Sequence, residues 1–228
     1  GWLKNRGYPY ARYLSRRAVA DPQNRTLGVT SRFETGPRMR FGELALEGLD
    51  SVDRPYLRTY LPWTRDEYYS ERQIRSFRKA LQGTGLFEVV RVEPPRHAPD
   101  ELASDASSLS PTATGAPGDR RVPITASFIE TKHRSFGAGL RFSTDEGPGV
   151  NAFLEHRNVF GSNETVRVEM LGALREQALT TTFRKPQFYR SGQTLFAGLE
   201  LHREQDDAFD ETAARFRLGI ERLVNRYL

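Results

Sequence analysis

The chain has 228 residues, with 34 Lys and Arg against 29 Asp and Glu, four His and no Cys. This length suggests one or two domains of roughly 100 to 200 residues each. The absence of Cys excludes a disulfide scaffold, a Cys-ligated metal site and a thiol nucleophile. No window approaches the roughly 18 consecutive apolar residues of a transmembrane helix, whereas membrane-spanning strands alternate apolar and polar residues and keep the average hydropathy low.

The net charge of +5 comes almost entirely from Arg. An excess of basic residues is compatible with a polyanionic partner such as nucleic acid or anionic lipid. The basic residues are nevertheless spread evenly among acidic ones, and Arg16-Arg17 and Arg120-Arg121 are the only adjacent Arg pairs. Dispersed charge is typical of a solvated surface, so the charge by itself does not indicate nucleic-acid binding.

The first half of the sequence contains a weak internal repeat, in which residues 3–7 match 81–85 and residues 25–42 match 120–137. Such self-similarity indicates a repeated structural unit. The second copy contains an additional stretch at about 96–121 that is rich in Ala, Ser, Pro, Asp and Gly. This composition predicts a disordered insert between two strands.

Residues 1–40 are predicted to be the end of one copy, with a helix end and strands near 12–20 and 27–35. Residues 41–131 are predicted to be a complete copy with the order β-α-α-β-β. Its predicted elements are a strand over 41–49, a helix over 55–61, a longer helix after Ser70, and strands over 87–92 and 122–130.

The longer helix carries the clearest local signals in this unit. Ser70 and Gln73 match a capping box at its start, and Gly83 or Gly85 is expected to end it. Apolar residues recur on one face with helical spacing. The predicted core consists of Leu44, Leu46, Ile74, Phe77, Leu81, Leu86, Val89 and Ile124.

After about residue 134, every segment alternates apolar and polar residues between turns. The alternation predicts six strands near 134–144, 149–158, 164–175, 178–186, 193–204 and 212–225. These strands are longer than the usual roughly 5 or 6 residues, and their length suits a tilted strand that crosses a membrane.

Two features favour a membrane-spanning sheet over a soluble β-sandwich, which also alternates. One face carries charges near the middle of the strands, at Arg141, Arg167, Glu169, Glu200 and Glu221. A polar face of this kind suits a wet barrel lumen. Aromatic residues also fall near one rim of the predicted sheet, at Phe160, Phe188, Tyr189 and Tyr227.

Three segments carry a family resemblance: GYPYARYLSRRAVADPQNRTLGVTSRFETGPRMRFGELALEGL, LQGTGLFEVVRVEP and SFGAGLRFSTDEGPG. In this order they resemble the TamA branch of the BamA/TamA outer-membrane assembly family. The resemblance implies that 1–40 is the C-terminal part of a polypeptide-transport-associated (POTRA) domain and 41–131 a complete one. Residues 132–228 would then be the first strands, about six, of an outer-membrane β-barrel. We therefore expect the chain to be a piece of a longer protein.

The resemblance further implies POTRA domains in the periplasm, a barrel in the bacterial outer membrane, and insertion or secretion of outer-membrane proteins. The implied partners are the outer-membrane lipid bilayer, unfolded β-barrel or autotransporter clients, and a TamB-like, periplasm-spanning inner-membrane protein at the POTRA domains. No nucleic acid and no cofactor are expected.

The first strand of the predicted sheet is the candidate lateral gate, where a client strand would pair by β-augmentation. Its residues are Phe136, Gly137, Ala138, Gly139, Leu140, Arg141 and Phe142. The two glycines supply little side-chain packing, so the strand is predicted to open easily; barrel curvature is the alternative reason for them. A second candidate pairing edge in the POTRA-like unit consists of Phe87, Glu88, Val89, Val90, Arg91 and Val92.

An enzyme is not expected. His97, His133, His156 and His202 are far apart and show no metal-binding spacing such as HExxH. His97 falls in the insert, and the other three are predicted at polar strand positions. We therefore expect no catalytic residue and no metal site.

Two other functions remain open from the sequence. A soluble polyanion-binding module would use Tyr68-Tyr69 together with Arg72, Arg75 and Arg78, which share a helical face. A solvated helix surface explains the same residues. A two-partner secretion pore would use the same architecture as an assembly factor, so the sequence does not separate the two.

Overall fold

A computed structural model describes residues 1–21, 23–96, 120–144, 147–205 and 210–222. Most of the predicted insert and the predicted rim residue Tyr227 lie outside the described residues. The helices are α1 (Arg54–Arg58) and α2 (Glu71–Gln82), preceded by a 3₁₀ turn at Lys4–Arg6. The strands are β1 (Arg12–Asp21), β2 (Thr26–Glu34), β3 (Arg40–Glu47), β4 (Phe87–Glu93), β5 (Arg121–Glu130), β6 (Arg134–Ser143), β7 (Gly147–Arg157), β8 (Thr165–Ala173), β9 (Glu176–Pro186), β10 (Gln193–Gln205) and β11 (Asp210–Arg222).

The chain divides into two compact units that interleave along the sequence. The first comprises Gly1–Glu47, Leu61–Ala80 and Val90–Phe128, and the second comprises Gly48–Tyr60, Leu81–Val89 and Ile129–Leu228. The predicted domain boundaries near residues 40 and 131 are therefore not the boundaries of these units, and they stay predictions.

In the first unit, β1 and β2 form a two-stranded antiparallel sheet. The positions that the sequence repeat aligns have similar local structure. Gly7 and Gly85 both have a positive φ, at 96° and 71°, a conformation that glycine adopts without a steric penalty. Strand β2 begins one residue after Arg25, as β5 begins one residue after the aligned Arg120.

Strands β3, β5 and β4 form a three-stranded sheet in that order, with β3 parallel to β5. The element order from β3 to β5 is the predicted β-α-α-β-β. In the first unit, the Phe41 ring stacks on Trp63 at 4.5 Å, and Trp63 meets the edge of Phe77 at 5.2 Å between ring centroids. Because these side chains are buried, the aromatic cluster is a major part of the core of this unit.

The predicted core needs two corrections. Val89 is exposed, because Phe87 and Val90 are both buried and the in-out alternation of β4 slips by one residue between them. Leu44 is only half-buried, next to a register irregularity that follows Phe41 in β3. The other predicted core residues are buried, namely Leu46, Ile74, Phe77, Leu81, Leu86 and Ile124.

The predicted capping box of α2 is also wrong. The side-chain nitrogen of Gln73 donates to the carboxylate of Glu67 at 2.7 Å, and its side-chain oxygen has no hydrogen-bond partner in the structure. That oxygen therefore does not accept the backbone N–H of Ser70 that a capping box requires.

Strands β6 to β11 form one antiparallel six-stranded sheet in sequence order. Its strand positions match the predictions to within a few residues. The register separates two faces. The face that we call the apolar face includes Phe136, Leu140, Val150, Leu154, Met170, Leu199, Phe216 and Leu218, and the polar face includes Arg141, Glu155, Arg167, Glu169, Glu200 and Glu221.

The alternative of a soluble sandwich is wrong for the described residues, because the apolar face is exposed. Phe136 and Leu140 are 86% and 88% exposed, and Phe216 and Leu218 are exposed at the other end of the sheet. A sandwich would bury such residues between two sheets. Among the described helices, none is long and apolar enough to cross a membrane.

Candidate functional site: the edge strand and the turns that support it

Strand β6, which contains the predicted gate residues, is an edge strand of the six-stranded sheet. It pairs with β7 from Arg134 opposite His156 to Ser143 opposite Gly147. Burial alternates strictly along it, and Phe136, Ala138, Leu140 and Phe142 are the exposed members on the apolar face. Within the described strands, the other long side of β6 has no neighbour. That side therefore presents backbone hydrogen-bonding groups to a further strand.

The polar face is covered by ion pairs, most of which join different strands. Arg167 on β8 contacts Glu155 on β7 at 3.1 Å and Glu169 on its own strand at 2.7 Å. Further pairs are Arg141 with Glu176, Arg184 with Glu221, and Arg215 and Arg217 with Glu200. The predicted polar face is thus a network of paired charges, and each exposed pair contributes at most about 1 kcal/mol.

A hydrogen-bond cluster that the sequence did not reveal lies just before β6. The carboxylate of Glu130, at the end of β5, accepts the backbone N–H groups of Asp50, Ser51 and Val52 at 2.9 to 3.2 Å. It also accepts the Ser51 hydroxyl. Burial by itself would raise the pKa of Glu130, but the hydrogen bonds outweigh it and lower the pKa to about 2. The carboxylate is therefore charged in this loop at neutral pH.

His133 lies in the connector between β5 and β6, so its prediction as a strand residue was wrong. Its Nε2 is 3.0 Å from the Ser51 hydroxyl and 3.4 Å from the Glu130 carboxylate. A catalytic triad needs the acid on the ring nitrogen opposite to the one that meets the serine. Here both contacts fall on the same nitrogen, so this Ser, His and Glu set does not have the geometry of a charge-relay nucleophile.

The turn between β7 and β8 joins the same cluster. The Asn158 amide donates to the carbonyl oxygen of Ser51 at 2.9 Å, and its oxygen accepts the backbone N–H of Asn163. Asn158 and Asn163 both have positive φ, which Asn tolerates better than most residues. The turn thereby connects the loop after β3 to the sheet that contains β6.

Glu164 is the most buried charged residue of this turn, with 1% of its side chain exposed. Its carboxylate accepts a hydrogen bond from the backbone N–H of Ser162 at 2.9 Å and forms an ion pair with the Lys185 ammonium group at 2.9 Å. Burial by itself would raise the pKa of Glu164, but Lys185 and the backbone donors lower it below its usual value. A buried carboxylate with these partners stays charged and holds the turn in place.

The second predicted pairing edge, strand β4, lies at one edge of the three-stranded sheet. Its side chains Glu88, Val89 and Arg91 are exposed, and Phe87, Val90 and Val92 face the core. The two predicted edges, β4 and β6, thus belong to different sheets.

No family model matches the sequence. Among solved structures, BamA from Haemophilus ducreyi lacking POTRA domains 1–3 matches with a TM-score of 0.74 and 17% identity, covering 94% of this chain and 37% of that one. The chain is similar in fold to BamA. CdiB from Acinetobacter baumannii matches less well, with a TM-score of 0.52 and 12% identity over 99% of this chain and 40% of that one.

At sequence identities this low, the likeness to BamA establishes the fold alone. It runs over nearly the whole chain, so both the α-and-β part and the six-stranded sheet have counterparts in one known architecture. The chain spans less than half the length of either BamA or CdiB in these structures. The sheet of the described strands is open, with β6 and β11 at its two edges.

Sequence reasoning found β6 but missed Glu130, Ser51 and Asn158. The only local signal was in the turn, where Asn158 and Asn163 are residue types that favour positive φ. Nothing periodic marks Glu130 or Ser51, because their contact joins loops that are far apart in the chain.

Proposed function

We propose that this chain belongs to a bacterial outer-membrane factor of the TamA type, which inserts or secretes β-barrel and autotransporter clients. The observation that carries the proposal is the edge strand β6, which has an exposed apolar face and, among the described strands, a neighbour on one side alone, within a fold similar to BamA. An exposed apolar sheet face of this size suits contact with lipid. The unpaired side suits the addition of a client strand through backbone hydrogen bonds.

In this proposal, β6 to β11 lie in the outer membrane, and the β-α-α-β-β unit is a POTRA domain in the periplasm. The partners are the lipid bilayer, unfolded β-barrel or autotransporter clients, and a TamB-like protein on the POTRA side. The working step is the formation of hydrogen bonds, so the proposed activity is not enzymatic and uses no cofactor.

We do not favour the two other functions considered from the sequence. The polyanion-binding surface is weakened by its own contacts, because Arg75 pairs with Glu71 at 3.3 Å and Arg78 is half-buried. The Tyr68 ring already lies under the Arg38 guanidinium at 3.6 Å. No feature of the described residues favours a two-partner secretion pore over an assembly factor.

Site-specific crosslinking tests the proposal. A photo-crosslinking amino acid replaces Leu140 on β6 or, as a matched control, Met170 on β8, which is exposed on the same face but lies on an interior strand. The protein is placed in phospholipid vesicles and given an unfolded autotransporter β-domain. We expect adducts with this client at position 140 and not at position 170. Equal adducts at both positions, or none at position 140, would reject pairing at β6.

A further inference from the structure

Strand β6 is joined to β7 by an unusual pattern on the polar face. Four consecutive pairs on this face each contain one glycine. In three of them the glycine lies opposite a longer side chain: Gly137 opposite Phe153, Gly139 opposite Asn151, and Gly149 opposite Arg141. In each of these three pairs, a residue without a side chain faces a side chain that can lie over it. The glycine lies on β6 in two pairs and on β7 in the third.

The side chains from β7 lie directly over the glycines of β6. A Cβ atom at Gly137 would lie 2.5 Å from Cε1 of Phe153, and one at Gly139 would lie 2.7 Å from the side-chain oxygen of Asn151. Both distances are far inside van der Waals contact. The space that side chains of β6 would fill is therefore already occupied by Phe153 and Asn151.

Arg141 makes the corresponding contact in the opposite direction. A Cβ atom at Gly149 would lie 3.2 Å from Cγ of Arg141, so the Arg141 side chain passes over β7 at this glycine. Its guanidinium then donates to the carboxylate of Glu176 on β9 at 2.8 Å. One side chain thus connects β6 to a strand that is separated from it by β7 and β8.

Phe153 is itself held from a second side. The Arg167 guanidinium lies 4.4 Å from the centroid of the Phe153 ring, within the range of a cation–π contact. Arg167 is fixed in turn by Glu155 and Glu169. The Phe153 ring therefore lies between Gly137 and the guanidinium of Arg167.

We propose that Phe153, Asn151 and Arg141 are positioning residues that keep β6 attached to β7 while its other side receives the client strand. This inference rests on the proposed function, and it specifies how that function works. The client adds to the unpaired side, and the pairing of β6 with β7 stays intact throughout. The glycines of β6 admit side chains from β7, so they strengthen this pairing, in contrast to the sequence-based expectation that they weaken it.

A disulfide between β6 and β7 tests this directly. Ala138 and Ala152 are paired opposite each other on the apolar face, and the chain contains no native Cys. The double variant Ala138→Cys/Ala152→Cys carries the photo-crosslinking amino acid at position 140 and receives the same unfolded autotransporter β-domain in vesicles. The oxidised and reduced forms of the variant are compared.

We expect the oxidised form to give client adducts within twofold of the reduced form, because β6 does not leave β7. If oxidation lowers the yield of client adducts more than tenfold, the inference is overturned, because β6 would have to leave β7. The proposal that the client pairs with β6 would not be affected. A different result would reject the proposed function on which the inference rests. In that case neither form gives client adducts, and the protein that carries the photo-crosslinking amino acid at position 140 without the two Cys residues gives none either.

Hydrogen exchange provides a second measurement that needs no client. Phe196 on β10 covers Gly219 on β11 in the same way, with a hypothetical Cβ 2.6 Å from the ring, so Phe196→Ala is a control of matched chemistry. Phe153→Ala should speed exchange of the β6 amides at least tenfold, whereas Phe196→Ala should leave them within twofold. An unchanged rate in Phe153→Ala, or an equal increase in both variants, would contradict a specific role of Phe153 on β6.

Discussion

The carboxylate of Glu130 accepts the backbone N–H of Ser51, a residue 79 positions earlier in the chain. The N–H groups of Asp50 and Val52 point to the same carboxylate. Three consecutive backbone donors around one anion form a compact binding loop. The charge of Glu130 therefore fixes the loop after β3 to the end of β5, just before the edge strand begins.

This contact makes stability depend on pH. The pKa of Glu130 is about 2 in the folded chain against 4.5 for the unperturbed group, so the unfolded chain binds the proton more tightly. The contribution is complete above about pH 4.5 and is lost as the pH falls through about 2. At 1.36 kcal/mol per pKa unit it amounts to about 3 kcal/mol at neutral pH.

We expect Glu130→Gln to lower the free energy of unfolding at pH 7 and to differ little from the wild type at pH 2. Urea unfolding of both proteins at the two pH values measures this. Glu88→Gln, at an exposed position of β4, is the control and should follow the wild type. If the difference in the free energy of unfolding between Glu130→Gln and the wild type were the same at both pH values, the stabilisation could not come from the charge of Glu130.

Phe77→Ala should destabilise the first unit by roughly 3 to 5 kcal/mol, because it removes a fully buried aromatic side chain. The Phe77 ring contacts Trp63 edge-on at 5.2 Å, so Trp63 fluorescence in a Trp2→Phe background reports the unfolding. Ser76→Ala, at an exposed position of the same helix, should change the stability by less than about 0.5 kcal/mol. A cost below about 1 kcal/mol for Phe77→Ala would refute this core.

Lys185→Met should destabilise the second unit by about 1 to 3 kcal/mol. It leaves the buried carboxylate of Glu164 without its cation, although the N–H donors of the turn remain. Arg184→Gln is the matched control, because its pair with Glu221 is half-exposed on both sides and should contribute less than about 1 kcal/mol. Thermal unfolding in detergent distinguishes the two, and equal costs would argue against a structural role for the Glu164 pair.

Met170 and Leu171 are adjacent apolar residues of β8 on opposite faces of the sheet. Met170 pairs with Ala152 and Leu179 on the apolar face, and Leu171 pairs with Asn151 and Ala178 on the polar face. If the apolar face meets lipid, Met170→Arg should cost roughly 2 to 4 kcal/mol near the centre of the membrane, and Leu171→Arg much less. Refolding yield into phospholipid vesicles compares the variants; similar yields would contradict lipid contact.

The sequence predicted the strands of the second half to within a few residues, and it also separated their two faces. Alternation along a strand is a local property, so Phe136, Leu140 and Arg141 could be assigned to faces without knowledge of any partner. The same reasoning failed at Val89, because a slip in the alternation of β4 reverses the faces within a few residues. It failed again for Gln73, whose side chain bonds to Glu67 and not to the start of its own helix.

What the sequence determined by itself was therefore the set of elements, the faces of the long strands and the resemblance that they carry. Only the tertiary structure decided that Phe153 covers Gly137, that Arg141 reaches Glu176, and that Glu130 binds the loop at Ser51. These contacts depend on register and on chain closure between distant segments. A hydrogen bond or ring contact of this kind leaves no periodic trace in the residues that lie between its two ends, so no pattern in the sequence could have indicated it.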